Sequence, residues 1–561
     1  MEMVDNRQAL MKMLVKELGF TEKQVRHVIQ LTEEGNTVPF IARYRKEWTG
    51  PLDEVQIRTI LERWQYIMQL EDRKEEVLRL IDEKGKLTGE LRQQILKATK
   101  LQEVEDLYRP YKEKRRTKAT IAKEKGLEPL AEWLLLYTKE DPNQKAMEFI
   151  NAEKEVQSAE EALQGAQDII AEIVSDEAAY RSWIRNVTFR KGVMSSVVKD
   201  EEKDEKNIYE MYYDYEEPLQ KVVPHRVLAM NRGEKEDILR VSVVPPVDEI
   251  VTFLYKKVIR DNDSKSAQYV KLAIEDGYKR LIQSSIEREI RKELTETAEE
   301  QAIHIFSENL RNLLLQPPMK GKVVLAVDPA YRTGCKLAIV DDTGKVLYID
   351  VIYPHPPVRK YEDAKAKVLS IIDKYQVEMI AIGNGTASRE SEEFIVDVLQ
   401  NVKREVFYII VNEAGASVYS ASDLAREEFP DLQVEERSAV SIGRRLQDPL
   451  AELVKIDPKS VGVGQYQHDV SQKRLNESLT FVVETAVNQV GVNVNTASVA
   501  LLQYVSGLSK TVAKNIVAKR EEEGKFTKRT DLKKIPRLGA KTYEQCIGFL
   551  RILEGANPLD R

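Results

Sequence analysis

The reading of the fold turns on VVLAVDPAYRTGCKLAIVDDTGKVLYIDVI, Val323–Ile352. It contains three short runs rich in branched residues: Val323–Asp328, Cys335–Val340 and Val346–Ile352. Turn signals separate them, Thr333-Gly334 and Asp341-Asp342-Thr343-Gly344. Such runs between turn residues predict neighbouring strands. Downstream the period alternates. A strand at Met379–Ile382 precedes a helix near Ser391–Val402, and a strand at Phe407–Val411 precedes a helix near Ser417–Phe429. An amphipathic helix is expected over about Ala439–Val454. The expected order βββαβαβα describes a mixed sheet covered by helices.

That order is the RNase H-like topology, which by itself says little about chemistry. On its N-terminal side, Pro317-Pro318 and Lys320-Gly321-Lys322 mark a domain boundary. Residues 1–316 read as overwhelmingly helical, with Leu10, Leu14, Leu18, Val25, Val28 and Ile29 at helical spacing. The charge run DEEKDEK, Asp200–Lys206, is expected as an exposed loop or helix end. On the C-terminal side the chain turns helical again from about residue 476, and a repeat emerges. Val505-x-Gly507-Leu508 with Ala513 and Ile516 is echoed, 30 residues on, by Ile535-x-Arg537-Leu538 with Tyr543 and Cys546. Each half reads as helix, tight hairpin, helix. The expected class is therefore multidomain and mainly α with one α/β domain. Its parts are a helical region (1–316), an RNase H-like domain (321–455), a tandem helix-hairpin-helix (476–555) and a short tail (556–561).

Composition narrows the class of function. The 561 residues are 42% hydrophobic and 32% charged, a folded and well solvated chain. No apolar run approaches the roughly 20 residues of a membrane span, and the N-terminus has no secretory pattern. Two distant cysteines, Cys335 and Cys546, argue against a disulfide framework and for a reducing, cytoplasmic setting. The net charge is −7, yet residues 501–551 hold 12 Lys/Arg against 5 Asp/Glu. A basic module on an acidic body points to a local anionic partner.

The hairpins supply a mechanism. Small residues at a tip expose amides at a helix N-terminus, where unsatisfied donors and the helix dipole attract phosphate. The candidate contacts are Gly507, Ser509, Lys510 and Lys514 in the first repeat, and Arg537, Gly539 and Lys541 in the second. Contacts of this kind position a backbone without reading its sequence. The structural alternative is a hairpin used only for packing. Three acids, Asp328, Glu413 and Asp448, stand where an RNase H-like fold often holds Mg²⁺ or Mn²⁺ for phosphodiester cleavage. A metal-dependent nuclease or resolvase is the alternative function. Plainer roles exist for each acid: a turn residue, a helix cap, a helix kink at Asp448-Pro449. Two basic, aromatic-containing stretches, around Arg43 and Arg45 and around Lys112, Lys114, Arg115 and Arg116, suit phosphates and stacked bases, or internal pairing with the acidic body. Gly383-Asn384-Gly385-Thr386 could cradle an anion but lacks the lysine of a P-loop. The five histidines show no zinc spacing.

Several long stretches resemble one family, the bacterial Tex transcription accessory proteins. They are TVPFIARYRKEWTGPLDE (Thr37–Glu54), LYRPYKEKRRTKATIAKEKGLEPLA (Leu107–Ala131), PHRVLAMNRGE (Pro224–Glu234), DPAYRTGCKLAIVD (Asp328–Asp341), VNEAGASVYSAS (Val411–Ser422), SIGRRLQDPLAELVKIDPKSVGVGQYQHDV (Ser441–Val470) and KKIPRLGAKTYEQCIGFLRI (Lys533–Ile552). The resemblance implies a helix-turn-helix within the N-terminal region, a YqgF-type RNase H-like domain and tandem helix-hairpin-helix elements. It also implies a role in transcription, binding of RNA or DNA, and kinship with an elongation factor that binds RNA polymerase; a third reading is an interaction scaffold whose helical body docks on a polymerase or ribosome. The family usually shows Asp-Pro-Gly where this chain has Asp328-Pro329-Ala330, a departure that leans against metal catalysis. Family members continue past Gly555-Ala556-Asn557-Pro558 into an S1-type RNA-binding domain, which is expected to be missing here.

Overall fold

The computed structural model describes residues 2–561 apart from Val463 and Gln465, with side chains from Asn6 onward. Two compact units emerge, Glu62–Gln301 and the combination of Met1–Leu61 with Ala302–Arg561.

Glu62–Gln301 is helical around the helix Ala159–Asp176, which buries Leu163, Ala166, Ile169, Ile170 and Val174. Gly165 lets Leu127 approach so closely that a Cβ there would sit 2.3 Å from Leu127 Cδ1. The region is overwhelmingly helical as expected, with one addition that was not foreseen, a three-stranded antiparallel sheet: β1 (Val193–Val198), β2 (Asp214–Pro218) and β3 (Leu239–Val244), in the order β2-β1-β3. In β3, Leu239, Val241 and Val243 alternate inward. The sequence DYEEP of β2 has little strand propensity of its own, and its ladder to β1 makes it a strand. The charge run Asp200–Lys206 is an exposed short helix and turn as expected, with one exception. Asp204 is buried and accepts from the amides of Ile208 and Tyr209 (2.9 Å each) and from Tyr213 Oη (2.7 Å).

The second unit contains the mixed sheet. β4 (Val324–Asp328), β5 (Cys335–Val340), β6 (Val346–Ile352), β7 (Met379–Gly383) and β8 (Phe407–Val411) lie in the order β6-β5-β4-β7-β8. The first three pair antiparallel, and β7 and β8 run parallel to β4. Both faces are covered, which explains the uninterrupted apolar character of β4. Leu325 and Val327 pack with the helices Tyr361–Lys374 and Ser388–Leu399. Val324 and Ala326 face the helix Val434–Gln447. The helix expected at Ser417–Phe429 is two, Ala416–Ser420 and Asp423–Glu428, with Ser422 capping the second. The last helix breaks at Asp448-Pro449 into Val434–Gln447 and Pro449–Leu453, since proline has no amide to continue the ladder. No helix among the described residues is long and apolar enough to cross a membrane.

Candidate nucleic-acid interface

The two hairpins share one geometry. Gly507 has φ of +78° and Arg537, 30 residues later, φ of +66°, so both turns use a left-handed residue. Leu508 and Leu538 follow and are buried, their amides closing tight turns onto Val505 O (3.0 Å) and Ile535 O (3.2 Å). Ser509 caps the helix Lys510–Glu523 through Oγ, which accepts from Val512 N at 3.2 Å. Gly539 caps Ala540–Cys546 with no side chain. Asn515 Nδ2 donates to Pro536 O at 2.9 Å and ties one hairpin to the other. Gly507, Ser509, Lys510, Lys514, Arg537, Gly539 and Lys541 are all exposed. Among the described residues, the first-turn amides of Lys510, Thr511, Ala540 and Lys541 meet no acceptor. Each tip therefore carries unpaired first-turn amides together with exposed basic side chains.

The acids behave differently. Asp328 ends β4, and burial first, then the charges of Glu413 and Glu435, push its carboxyl up to about 7 against the pull of Lys336. Glu413 is also raised by burial, opposed by Arg445. Its carboxylate fills the space left by two missing side chains. A Cβ on Gly383 would lie 2.2 Å from Glu413 Oε2, and one on Gly385 1.7 Å from Oε1. The anion in the Gly383-Asn384-Gly385 turn is thus the chain's own. Arg445 is the buried counter-charge, with Nη1 donating to Asn412 O (2.9 Å) and Ala414 O (2.7 Å).

Asp448 does not join this pair. The helix Val434–Gln447 runs opposite to β4, placing Glu435 near Asp328, Gly443 against Ala326, and Gln447 Nε2 3.0 Å from Lys322 O. Asp448 therefore belongs to the other end of a strand roughly 13 Å long. There it caps Pro449–Leu453, accepting from Ala451 N at 3.2 Å, and faces Lys320 at 3.7 Å. Among the described residues no three His, Cys, Asp or Glu side chains converge to hold a metal ion. Two coupled acids with an arginine as counter-charge do not fit a two-metal centre. The turn at Ala330 requires no left-handed residue, so the missing glycine is not itself a strain.

Four family descriptions match the chain: Tex-like protein N-terminal domain over residues 8–82, Tex central region-like over 138–306, Tex protein YqgF-like domain over 322–447, and helix-hairpin-helix motif over 487–551. An uncharacterized protein of Bacillus subtilis, YdcI, is 68% identical, covering 98% of this chain and 77% of its own length. Transcriptional accessory protein Tex of Neisseria gonorrhoeae is 45% identical, over 98% of this chain and 72% of its own. This chain belongs to the Tex family. Protein tex of Bordetella pertussis is likewise 45% identical, over 98% of this chain and 71% of its own.

In this Tex-family chain the remaining sequence candidates divide. Lys112, Arg115 and Arg116 are exposed. Lys114 is half-buried and paired with Glu172 (2.8 Å) and Asp176 on the helix Ala159–Asp176. Arg43 stays exposed while its guanidinium lies over the rings of Tyr44 and Phe549 (5.7 and 5.6 Å). Arg45 pairs with Glu544 at 2.9 Å and stacks over Phe40 at 4.6 Å. Glu435, Arg445 and the buried amides Asn36 and Gln545 were not among the sequence candidates. For Glu435 a signal existed. It sits in the first turn of the helix that must pack back along β4.

Proposed function

We propose that this chain binds RNA or DNA through backbone phosphates, without sequence specificity, as a transcription accessory factor. One observation carries the reading: paired, exposed hairpin tips join free first-turn amides to Lys510, Lys514, Arg537 and Lys541. Amides and cations together suit a phosphate oxygen, and a repeat of the same turn suits successive phosphates. The names of the Neisseria and Bordetella relatives support the link to transcription.

Fluorescence anisotropy with labelled single- and double-stranded oligonucleotides across a salt series tests the reading. K510E, K514E and K541E are each expected to weaken binding to every sequence alike and to flatten the salt slope by about one contact. Unchanged affinity in all three would reduce the hairpins to packing elements. An RNA polymerase or ribosomal partner belongs to the same proposal, and co-purification with and without nuclease treatment separates it from tethering through nucleic acid.

A further inference from the structure

The stretch Phe40–Lys46 is a candidate for direct phosphate contact by its composition, yet the structure packs it, with residues 35–37 before it, beside the second hairpin. Asn36 is buried; its Oδ1 accepts from Gln545 Nε2 at 2.9 Å and from Lys541 Nζ at 3.4 Å, while Nδ2 donates to Leu31 O at 2.8 Å. Gln545 Oε1 in turn accepts from Thr37 N at 2.9 Å. Gly35 has φ of +89° and lacks the Cβ that would touch Lys541 Cε at 3.7 Å. The lysine stem thus lies against Gly35 and Asn36.

Glu544 threatens this lysine. It stands three residues on along the same helix, 3.9 Å from Lys541 Nζ, where it could cancel the charge. Arg45 holds the other carboxylate oxygen far more closely, at 2.9 Å, so the shorter of the two ion pairs is the arginine's. The arginine is fixed from two further sides, over the Phe40 ring at 4.6 Å and through Nη1 to Tyr44 O at 2.8 Å. A planar guanidinium anchored in this way outcompetes a flexible ammonium for a carboxylate.

We propose that Arg45 and Asn36 are positioning residues of the nucleic-acid interface: Asn36 seats Lys541 beside the second tip, and Arg45 occupies Glu544 so that the lysine charge remains open to a phosphate. This inference rests on the hairpin reading above. Its test is a double-mutant cycle on the full chain, read by anisotropy with a labelled single-stranded oligonucleotide over a salt series, with thermal melting of every variant. R45Q lowers affinity about threefold, the scale of one exposed charge pair. Adding E544Q to R45Q recovers the loss, and E544Q raises affinity more in the R45Q background than beside Arg45. Loss in R45Q that E544Q does not recover, with a slope flatter by one contact, overturns the proposal, because Arg45 would then touch phosphate itself. Should R45Q melt early, the isosteric N36D places a carboxylate against Lys541 and must weaken binding; unchanged binding by N36D overturns the proposal equally. Silence of R45Q and N36D while K510E and K514E weaken binding sinks this inference alone, whereas silence of all four sinks the hairpin reading beneath it.

Discussion

Arg537 occupies the left-handed position that Gly507 occupies in the first repeat, and the two residues face different constraints. An L side chain at such a φ costs roughly 1–2 kcal/mol, partly offset because glycine gains freedom in the unfolded chain. R537G is therefore expected to leave stability unchanged, or raise it by less than about 1 kcal/mol in urea melts, while weakening nucleic-acid binding. G507A should cost at least about 1 kcal/mol, because a Cβ would lie 2.8 Å from Gln545 Cβ besides forcing the strained φ. Equal stability of G507A and wild type would contradict the shared turn. Asp328 supplies a pH dependence at the same scale. Its folded value near 7 lies above the ordinary 3.8, so the folded state holds the proton more tightly. Stability from this group is then full below about pH 4 and falls as pH rises towards 7. D328N should exceed wild type in stability at pH 8, on the order of 2 kcal/mol, with the gap narrowing towards pH 4. A gap that does not change with pH would remove Asp328 from its buried acid pair.

At the scale of elements, the close fit of helix to sheet depends on Gly443. A Cβ there would come within 3.2 Å of both Ala326 Cβ and Val340 Cγ2. G443V should overpack this face and cost about 1–3 kcal/mol in urea denaturation; a neutral result would mean that the helix does not lie on β4 as described. The strands β4, β5, β6 and β8 were legible to within a residue, because branched runs between turn residues are a local signal. The repeat of the hairpins was legible for the same reason. The sheet of β1–β3 was not, since DYEEP becomes a strand only through its partner Val193–Val197. The third acid was misplaced for a similar reason. The acid that such a fold often carries on its last helix suggested Asp448, whereas the direction in which that helix crosses β4 puts Glu435 near Asp328.

For the whole molecule, the question is how many charges reach a ligand. The chain carries a net −7, with its basic surplus gathered at the hairpins. If Lys510, Lys514, Arg537 and Lys541 each meet one phosphate, the log–log salt slope is about −3.6 on duplex DNA and about −2.8 on single strands. A steeper slope would bring a further surface into play, and K112E with R115E would show whether that surface is the loop after Arg109. By itself the sequence determined the mixed sheet, the paired hairpins, the clustering of basic charge and the family, since propensity, periodicity and turn chemistry act over a few residues. Only the tertiary structure decided which charges are open. Lys114 pairs with Glu172, Arg45 pairs with Glu544 and Glu413 fills the space beside Gly385, pairings that join residues 28 to 499 positions apart. Charge cancellation falls off over a few ångströms, and distances that short are set by packing between elements that the order of residues along the chain does not reveal.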